Sequence, residues 1–395
     1  MEKTYSLKHL VTVVCFAILV SVLITAFAFQ CFVIAPRNEL DAYNAKLSEI
    51  NSLVEKYYVG EVDANVMANY LAAGYTAGLN DKYAQYFSEE EAIESLNSFK
   101  GVNSGMGVQV SSHPDTLNIL VLEVHKGSPA EKAGLKQNDQ IVKIDDKKVS
   151  EYGYSNTLQY IKSKPLGTEL TLVVLRNQKE VLVKLKLANY DSQSVFYSKQ
   201  GDYGYIQIAT FNNKSPEQFK SALEDLRTKG VKGFIFDLRG NGGGTLDSVN
   251  AMVDMLIPEG LMVRVEYKDE RFNETYNSDK LEENLPMVVL TDESTASASE
   301  LFSQSLKDYN KAKTVGRKTY GKGVVQKTFS LSDGSLIKFT IGKYYTKNGT
   351  CLDGIGVIPD IAVEYPENEL KYRFINGLSK DKDFIAAKQY LDSLS

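Results

Sequence analysis

Apolar residues fill nearly every position from 10 to 35, a run long enough to cross a bilayer as a helix. Lys3 and Lys8 precede it and Arg37, among acidic residues, follows. This asymmetry favours a cytoplasmic tip with the body outside the cytoplasm. A cleaved signal peptide is the rival, with Ala26-Phe27-Ala28 as an A-x-A site. The apolar run continues over 29–35, which favours an uncleaved anchor. Lipoprotein processing does not fit, because Gln30 is too large for the residue before Cys31.

Beyond the anchor the period changes. Leu47, Ile50, Leu53 and Val54, then Val66, Met67, Tyr70, Leu71 and Tyr75, recur at helical spacing and predict helices over 41–96. The apolar faces of these helices could pair two subunits; a spacer that holds the body off the membrane explains them equally. From 99 to 187 short strands dominate: 108–110, 117–124, 140–144 and a closing hairpin of 170–176 with 180–187. Ser128-Pro129-Ala130-Glu131 predicts a helix start, and 154–161 a second helix.

From Gly201 strands and helices alternate, which predicts an α/β unit with its sequential strands in one sheet. Strand 203–209 leads to a helix begun by the capping box Ser215-Pro216-Glu217-Gln218. Strand 233–238 runs into Gly240-Asn241-Gly242-Gly243-Gly244 and then helix 246–257. A glycine-rich loop between strand and helix can hold an anion on its backbone N–H groups, or can be only a tight crossover. Strand 286–290 leads to Ser297 and a further helix. A hairpin of 329–331 with 336–345 follows, turning at Ser332-Asp333-Gly334, and the tail from Glu369 reads as helical and charged.

Composition narrows the chemistry. The 395 residues allow two or three domains, and a net charge of −5 with no basic stripe gives no reason to expect nucleic acid. Cys15 and Cys31 lie in the apolar segment and Cys351 stands alone in the body, which excludes an internal disulfide of the body and a cysteine metal cluster. GRKTYGK (316–322) nearly spells a phosphate loop, but Gly323 stands where Ser or Thr must meet Mg²⁺. No metal or nucleotide cofactor is expected.

The three histidines are His9, His113 and His125, so none lies between 191 and 395. A Ser-His-Asp triad or H-E-x-x-H zinc site within that part is excluded. Ser297 fits S-x-x-E with Glu300, which by itself describes only a helix cap. If Ser297 is activated, its base must be another residue. Lys322, set between glycines and before Val324-Val325, can serve if burial lowers its pKa, with Gln326 aiming it.

Two resemblances sharpen this reading. GMGV (105–108), GSPAEKAGLKQNDQIVKIDDKKV (127–149) and the strand ending at Arg176 resemble a PDZ domain. Its Gly105-Met106-Gly107-Val108 loop would receive a peptide's terminal carboxylate, and the peptide would add as a strand. DLRGNGGG (237–244), STASASELF (294–302), GRKTYGKGVVQ (316–326) and GIGVIPDI (354–361) resemble the carboxyl-terminal processing proteases, serine endopeptidases with a Ser/Lys dyad. The resemblance implies Ser297 as nucleophile, Lys322 as general base, Gln326 as its orienting partner and Glu300 as structural support. It also implies an oxyanion hole from Ala298 N–H with Gly243 or Gly242, and Arg176 as a PDZ arginine that senses bound peptide.

The resemblance implies a multidomain α+β and α/β fold. The expected division is an anchor over 1–36, a helical region over 37–98, an inserted PDZ domain over 99–190, a ClpP/crotonase-like α/β protease core over 191–368 and a tail over 369–395. A substrate with a free C-terminus, no nucleic acid partner and a homodimer formed through the N-terminal helices are the implied associations. The stretch 346–351 departs from the more glycine- and arginine-rich version of the family and bears on the substrate groove. An inactive PDZ adaptor on the same fold is the alternative function, although intact Ser297, Lys322 and Gln326 argue against it.

Overall fold

The computed structural model describes residues 7–33, 39–279, 282–366, 369, 372 and 377–394. Residues 1–69 and 70–395 form two compact units. The first holds helices α1 (Leu7–Val33) and α2 (Glu39–Tyr57) and the start of α3 (Ala64–Ala77). The expected membrane-spanning anchor is not shown here. Among the described residues no helix is long and apolar enough to cross a membrane. Positions 34–35 of the apolar run lie outside the described residues.

The second unit begins with the rest of α3, followed by a turn at Asn80–Ala84, the short strand β1 (Gln85–Phe87), helix α4 (Glu89–Lys100) and strand β2 (Val102–Gly105). Ser88 and Glu91 close a reciprocal capping box on α4, and Gly101 ends it at φ +73°.

A PDZ-like module follows. It contains β3 (Val108–Ser112), β4 (Ile119–Val124), the single-turn α5 (Pro129–Lys132), β5 (Gln140–Ile144), β6 (Lys147–Lys148), α6 (Val149–Tyr152), α7 (Tyr154–Lys162), β7 (Glu169–Arg176) and β8 (Lys179–Lys186). Its strands run in the order β3-β4-β5-β7-β8, so β3 is an edge strand. Alternating residues of β7 and β8 close a core around Ile119, Ile141, Ile144, Leu170, Leu172 and Val174, all buried. β9 (Ala188–Asp191) then pairs antiparallel with β2, so the module's two chain ends leave side by side.

The remaining chain builds two sheets, and the sequential strands that the alternation predicts, 203–209, 233–238 and 286–290, lie side by side in the first. The first holds β10 (Val195–Gln200), β11 (Tyr203–Ile208), β12 (Phe234–Asp237), β15 (Met287–Thr291), β16 (Ala312–Gly316) and β19 (Ile361–Ala362), in that spatial order. All but β10 run parallel. Both faces are covered, which is why β12 and β15 are continuous apolar runs. On one face lie α8 (Ser215–Thr228), α9 (Leu246–Asp254) and α10 (Ala298–Asp308), whose Phe219 and Phe302 meet Phe236 edge-on or tilted. On the other lies α11 (Lys382–Asp392), with Phe384, Ala387 and Leu391 against Ile235, Val288 and Leu290.

The second sheet holds β13 (Gly260–Tyr267), β14 (Glu274–Ser278), β17 (Val324–Ser330) and β18 (Leu336–Thr346), and β1 joins it beside β18. These strands leave the first sheet because they pair antiparallel as hairpins with one another. One expectation shifts. Ser215 does not cap α8: its hydroxyl turns inward to Thr210 O at 2.9 Å, and Lys214 occupies the cap position. In the tail Glu369 is helical and α11 runs over Lys382–Asp392, while most of 367–376 lies outside the described residues.

Candidate active site

Three adjacent parallel strands, β12, β15 and β16, end at one edge of their sheet. The loops that leave those ends are 238–245, 292–297 and 317–323, so topology alone gathers the glycine-rich loop, Ser297 and Lys322. Crevices at the carboxyl ends of parallel strands are the usual sites of α/β sheets.

Ser297 precedes α10 with φ +58° and ψ −118°, a conformation that costs energy for a residue with a Cβ. Glu300 Oε2 accepts the Ser297 N–H at 2.8 Å, the arm of a capping box that reaches back to the cap residue. Gly243 packs against this corner: at φ +107°, a Cβ there would lie 2.9 Å from Ser297 Cβ and 3.0 Å from Ala298 N. Only glycine lets the loop come so close. The Gly243 N–H, however, donates to Asn241 Oδ1 at 2.8 Å. Ala298 N–H and Gly242 N–H donate to no protein group among the described residues.

Glu300 is fully buried and its carboxylate gathers the lysine loop. Oε1 accepts from Thr319 Oγ1 at 2.5 Å and Gly321 N–H at 2.7 Å, and Oε2 accepts from Lys322 N–H at 2.8 Å. One carboxylate therefore holds the main chain of both Ser297 and Lys322. Lys322 Nζ donates to Gln326 Oε1 at 2.8 Å. Gln326 sits where β17 and β18 shift register, a bulge that re-aims its side chain. Burial pushes the Lys322 pKa below the usual lysine value; nearby Lys338 and Lys82 act the same way, while the Asp81 and Glu300 carboxylates pull against them. Such an amine can hold a neutral form closer to physiological pH. Among the described residues no hydrogen bond joins Ser297 Oγ to Lys322 Nζ.

The turn before β1 completes the lysine's surroundings, which the sequence did not announce. The Tyr83 ring lies 4.6 Å from Lys322 Nζ, and Gln326 Nε2 donates to Tyr83 O at 3.3 Å. Asp81 Oδ2 accepts the Thr340 N–H of β18 at 2.8 Å and fixes that turn to the second sheet. Asn80 and its positive φ mark the turn, but nothing local says that it faces a lysine more than 200 positions on.

The PDZ-like residues separate into two groups. Gly105 ends β2, Val108 opens the edge strand β3, and Met106 is buried in the module's core. Gly107, at φ +85°, could bear no Cβ, which would lie 2.2 Å from Ser128 Cβ. The Tyr154 hydroxyl at the head of α7 donates to Val110 O at 3.3 Å and sets that helix beside the β3 edge. Arg176 is different. Its guanidinium grips buried Asp139 through Nε and Nη2, each at 2.7 Å, and Gly134 O at 2.7 Å. The structure assigns it to the module's own fold and does not bring it to Ser297 or Lys322.

Among the described residues no group of three or more His, Cys, Asp or Glu side chains is arranged to hold a metal ion. The family model for peptidase family S41 matches residues 202–363, and that for the PDZ domain matches 104–187. A protein of Staphylococcus aureus (strain COL) described as a CtpA-like serine protease is 34% identical over 374 residues, 93% of this chain and 74% of the relative. Its Staphylococcus epidermidis counterpart is 32% identical over 342 residues, 86% of this chain and 68% of the relative. The crystal structure of a Bacteroides fragilis protein described as an S41 protease has the same fold, with a TM-score of 0.59 at 19% identity over 86% of this chain and 93% of the other. By this likeness over nearly its whole length, the chain belongs to peptidase family S41, as a PDZ-containing serine-type peptidase of the carboxyl-terminal processing group.

Proposed function

We propose that this chain cleaves proteins with Ser297 as nucleophile and Lys322 as general base, and that its PDZ domain takes the free C-terminus of the substrate. The observation that carries the reading is the half-buried Lys322 amine, aimed by Gln326 and roofed by Tyr83, on a loop that shares Glu300 with the Ser297 backbone. Neutral Lys322 takes the hydroxyl proton as Ser297 Oγ attacks the scissile carbonyl. The resulting ammonium returns that proton to the departing amine, and water then hydrolyses the acyl-enzyme. Ala298 N–H and Gly242 N–H are the donors open to the oxyanion; Gly243 N–H can join them only by leaving Asn241. The β3 edge beside α7 supports peptide capture by strand addition. No observation favours a non-catalytic adaptor.

The test uses an unstructured protein with an apolar C-terminus. The parent chain is expected to cut it, Ser297→Ala to leave it whole, and amidation of the substrate's C-terminus to slow the parent. Cleavage that survives Ser297→Ala would sink the assignment.

Attachment to a membrane on the extracytoplasmic side rests on the apolar run of the sequence alone, and pairing of two copies on exposed Leu47, Ile50, Leu53 and Val66. The full chain is expected to stay with membranes after alkaline carbonate extraction and to sediment as a dimer in detergent. Release by carbonate or a monomeric mass would remove the corresponding part.

A further inference from the structure

Tyr344 stands on β18, in a strand whose alternating pattern gives it no distinction from its neighbours. It is buried, with 3% of its surface exposed, and its ring belongs to the core that also holds Phe302 and Val263. Its hydroxyl, however, meets no group of that core. It lies 2.7 Å from Lys322 O and 3.1 Å from Ser297 O. The Tyr344 N–H also donates to Gly323 O at 3.1 Å, so strand and loop are joined by main chain as well.

The symmetry with Glu300 gives this contact its meaning. Glu300 Oε2 accepts the N–H of Ser297 and the N–H of Lys322. Tyr344 faces the C=O of the same two residues. A phenol has one proton to give, and the shorter distance directs it mainly to Lys322 O. Ser297 O also accepts from Glu300 N–H and Leu301 N–H, so it has other partners. Burial pushes the Tyr344 pKa well above the ordinary tyrosine value, with nearby Glu300 acting the same way, so the hydroxyl stays a donor throughout any working pH.

We infer that Tyr344 is a positioning residue of the peptidase: its hydroxyl, opposite the Glu300 carboxylate, fixes the Lys322 peptide unit in register with the strained Ser297 unit. This rests on the serine–lysine reading above. Tyr344 touches neither the reacting hydroxyl nor the amine; it acts through the two backbones that carry them. An error of about 1 Å in such placement costs on the order of a hundredfold in rate. Without the hydroxyl, Lys322 O must find another donor, and water is the available one. Water admitted there also reaches toward the amine and weakens the desolvation that lowers its pKa. The groups that face this amine are Gln326, Tyr83, Asp81, Lys82, Glu300 and Lys338, and Tyr344→Phe removes none of them.

The experiment compares the full chain, Tyr344→Phe and Ser297→Ala on the same peptide substrate across pH, with the folded fraction of each measured by near-ultraviolet circular dichroism. Tyr344→Phe is expected to lower kcat by about tenfold to a hundredfold. KM should stay within about twofold, and the acidic limb of kcat/KM should move to higher pH. Parental kcat with an unmoved limb would overturn the inference, as would a fall in rate that only tracks the loss of folded protein. Activity that survives Ser297→Ala would overturn the serine–lysine reading and this role with it. Activity lost in Ser297→Ala but whole in Tyr344→Phe would overturn the positioning role alone.

Discussion

Replacing Lys322 by methionine is expected to slow peptide hydrolysis by about a thousandfold or more, from a chain that melts no earlier than its parent. Loss of a positioned base costs about a hundredfold to ten-thousandfold. Met keeps the aliphatic stem among Tyr83 and Gln326 and removes the amine. The effect on stability has the opposite sign from that of most active-site losses. Burial pushes the Lys322 pKa below its ordinary 10.5, so the folded chain binds the proton less tightly than the unfolded chain. The buried ammonium therefore costs stability in full below the folded pKa. That cost fades as pH rises toward 10.5, and Met removes it. Gln326 Oε1 loses its partner, which offsets part of the gain. In the parent the neutral base grows with pH, so kcat/KM should rise along a limb set by Lys322 and level off in the alkaline range. Peptide hydrolysis from pH 6 to 10, beside thermal melts, checks both halves. A Lys322→Met chain that keeps its activity, or loses it only by unfolding, would refute the role.

The second large effect is structural. Arg239→Met is expected to destabilise the protease core by about 3–5 kcal/mol, the usual result of stripping one partner from buried charges. Arg239 is almost wholly buried and reaches three carboxylates: Asp237 at 2.6 Å, Asp381 at 2.7 Å and Asp383 at 2.9 Å. Burial alone would push the Asp237 carboxyl up, but the Arg239 guanidinium outweighs it and holds the pKa below the ordinary 3.8. Asp383, which also meets Arg317, stays above that value because burial prevails. Without Arg239 the Asp237 and Asp383 carboxyls should be driven upward. The variant's folded state would then hold protons that its unfolded state releases. Its deficit is smallest below about pH 4 and grows as pH rises through the raised values. Denaturant unfolding at pH 5 and pH 8 measures this. A deficit under about 1 kcal/mol, or one that shrinks toward pH 8, would contradict the account.

Both effects bear on what the sequence could disclose. The order of strands and helices in the PDZ-like module was readable because each element carries its own period, cap or turn. The proposal of Ser297 and Lys322 drew on the absence of histidine from that part of the chain, which removed the common alternatives. What stayed hidden was long-range. Gln326 meets Tyr83 across 243 positions, and Arg239 meets Asp381 across 142. No local pattern encodes such a pairing. The tail reads as helical and charged, and nothing in it says that two of its aspartates are buried against Arg239, next to the glycine-rich loop. The partner of Arg176 was hidden for a related reason: a strand-end arginine gives no sign of where its guanidinium turns, and buried Asp139 holds it. Strands β13 and β14 were not foreseen, and no local pattern says that they join the hairpin of β17 and β18 in a second sheet.

The antiparallel ribbon of β2 and β9 has a mechanical meaning. It is the neck through which both covalent ends of the PDZ-like module pass. A two-stranded ribbon bends readily across its flat face and resists stretching along its strands. A tail pulled on the module would thus swing it about one soft axis while loading both strands along their length. One strand runs back through α4 to β1, which pairs with β18. The other runs forward into β10 at the rim of the parallel sheet. Tension on a captured tail has two short tethers into the molecule, and the first ends on the strand that bears Tyr344.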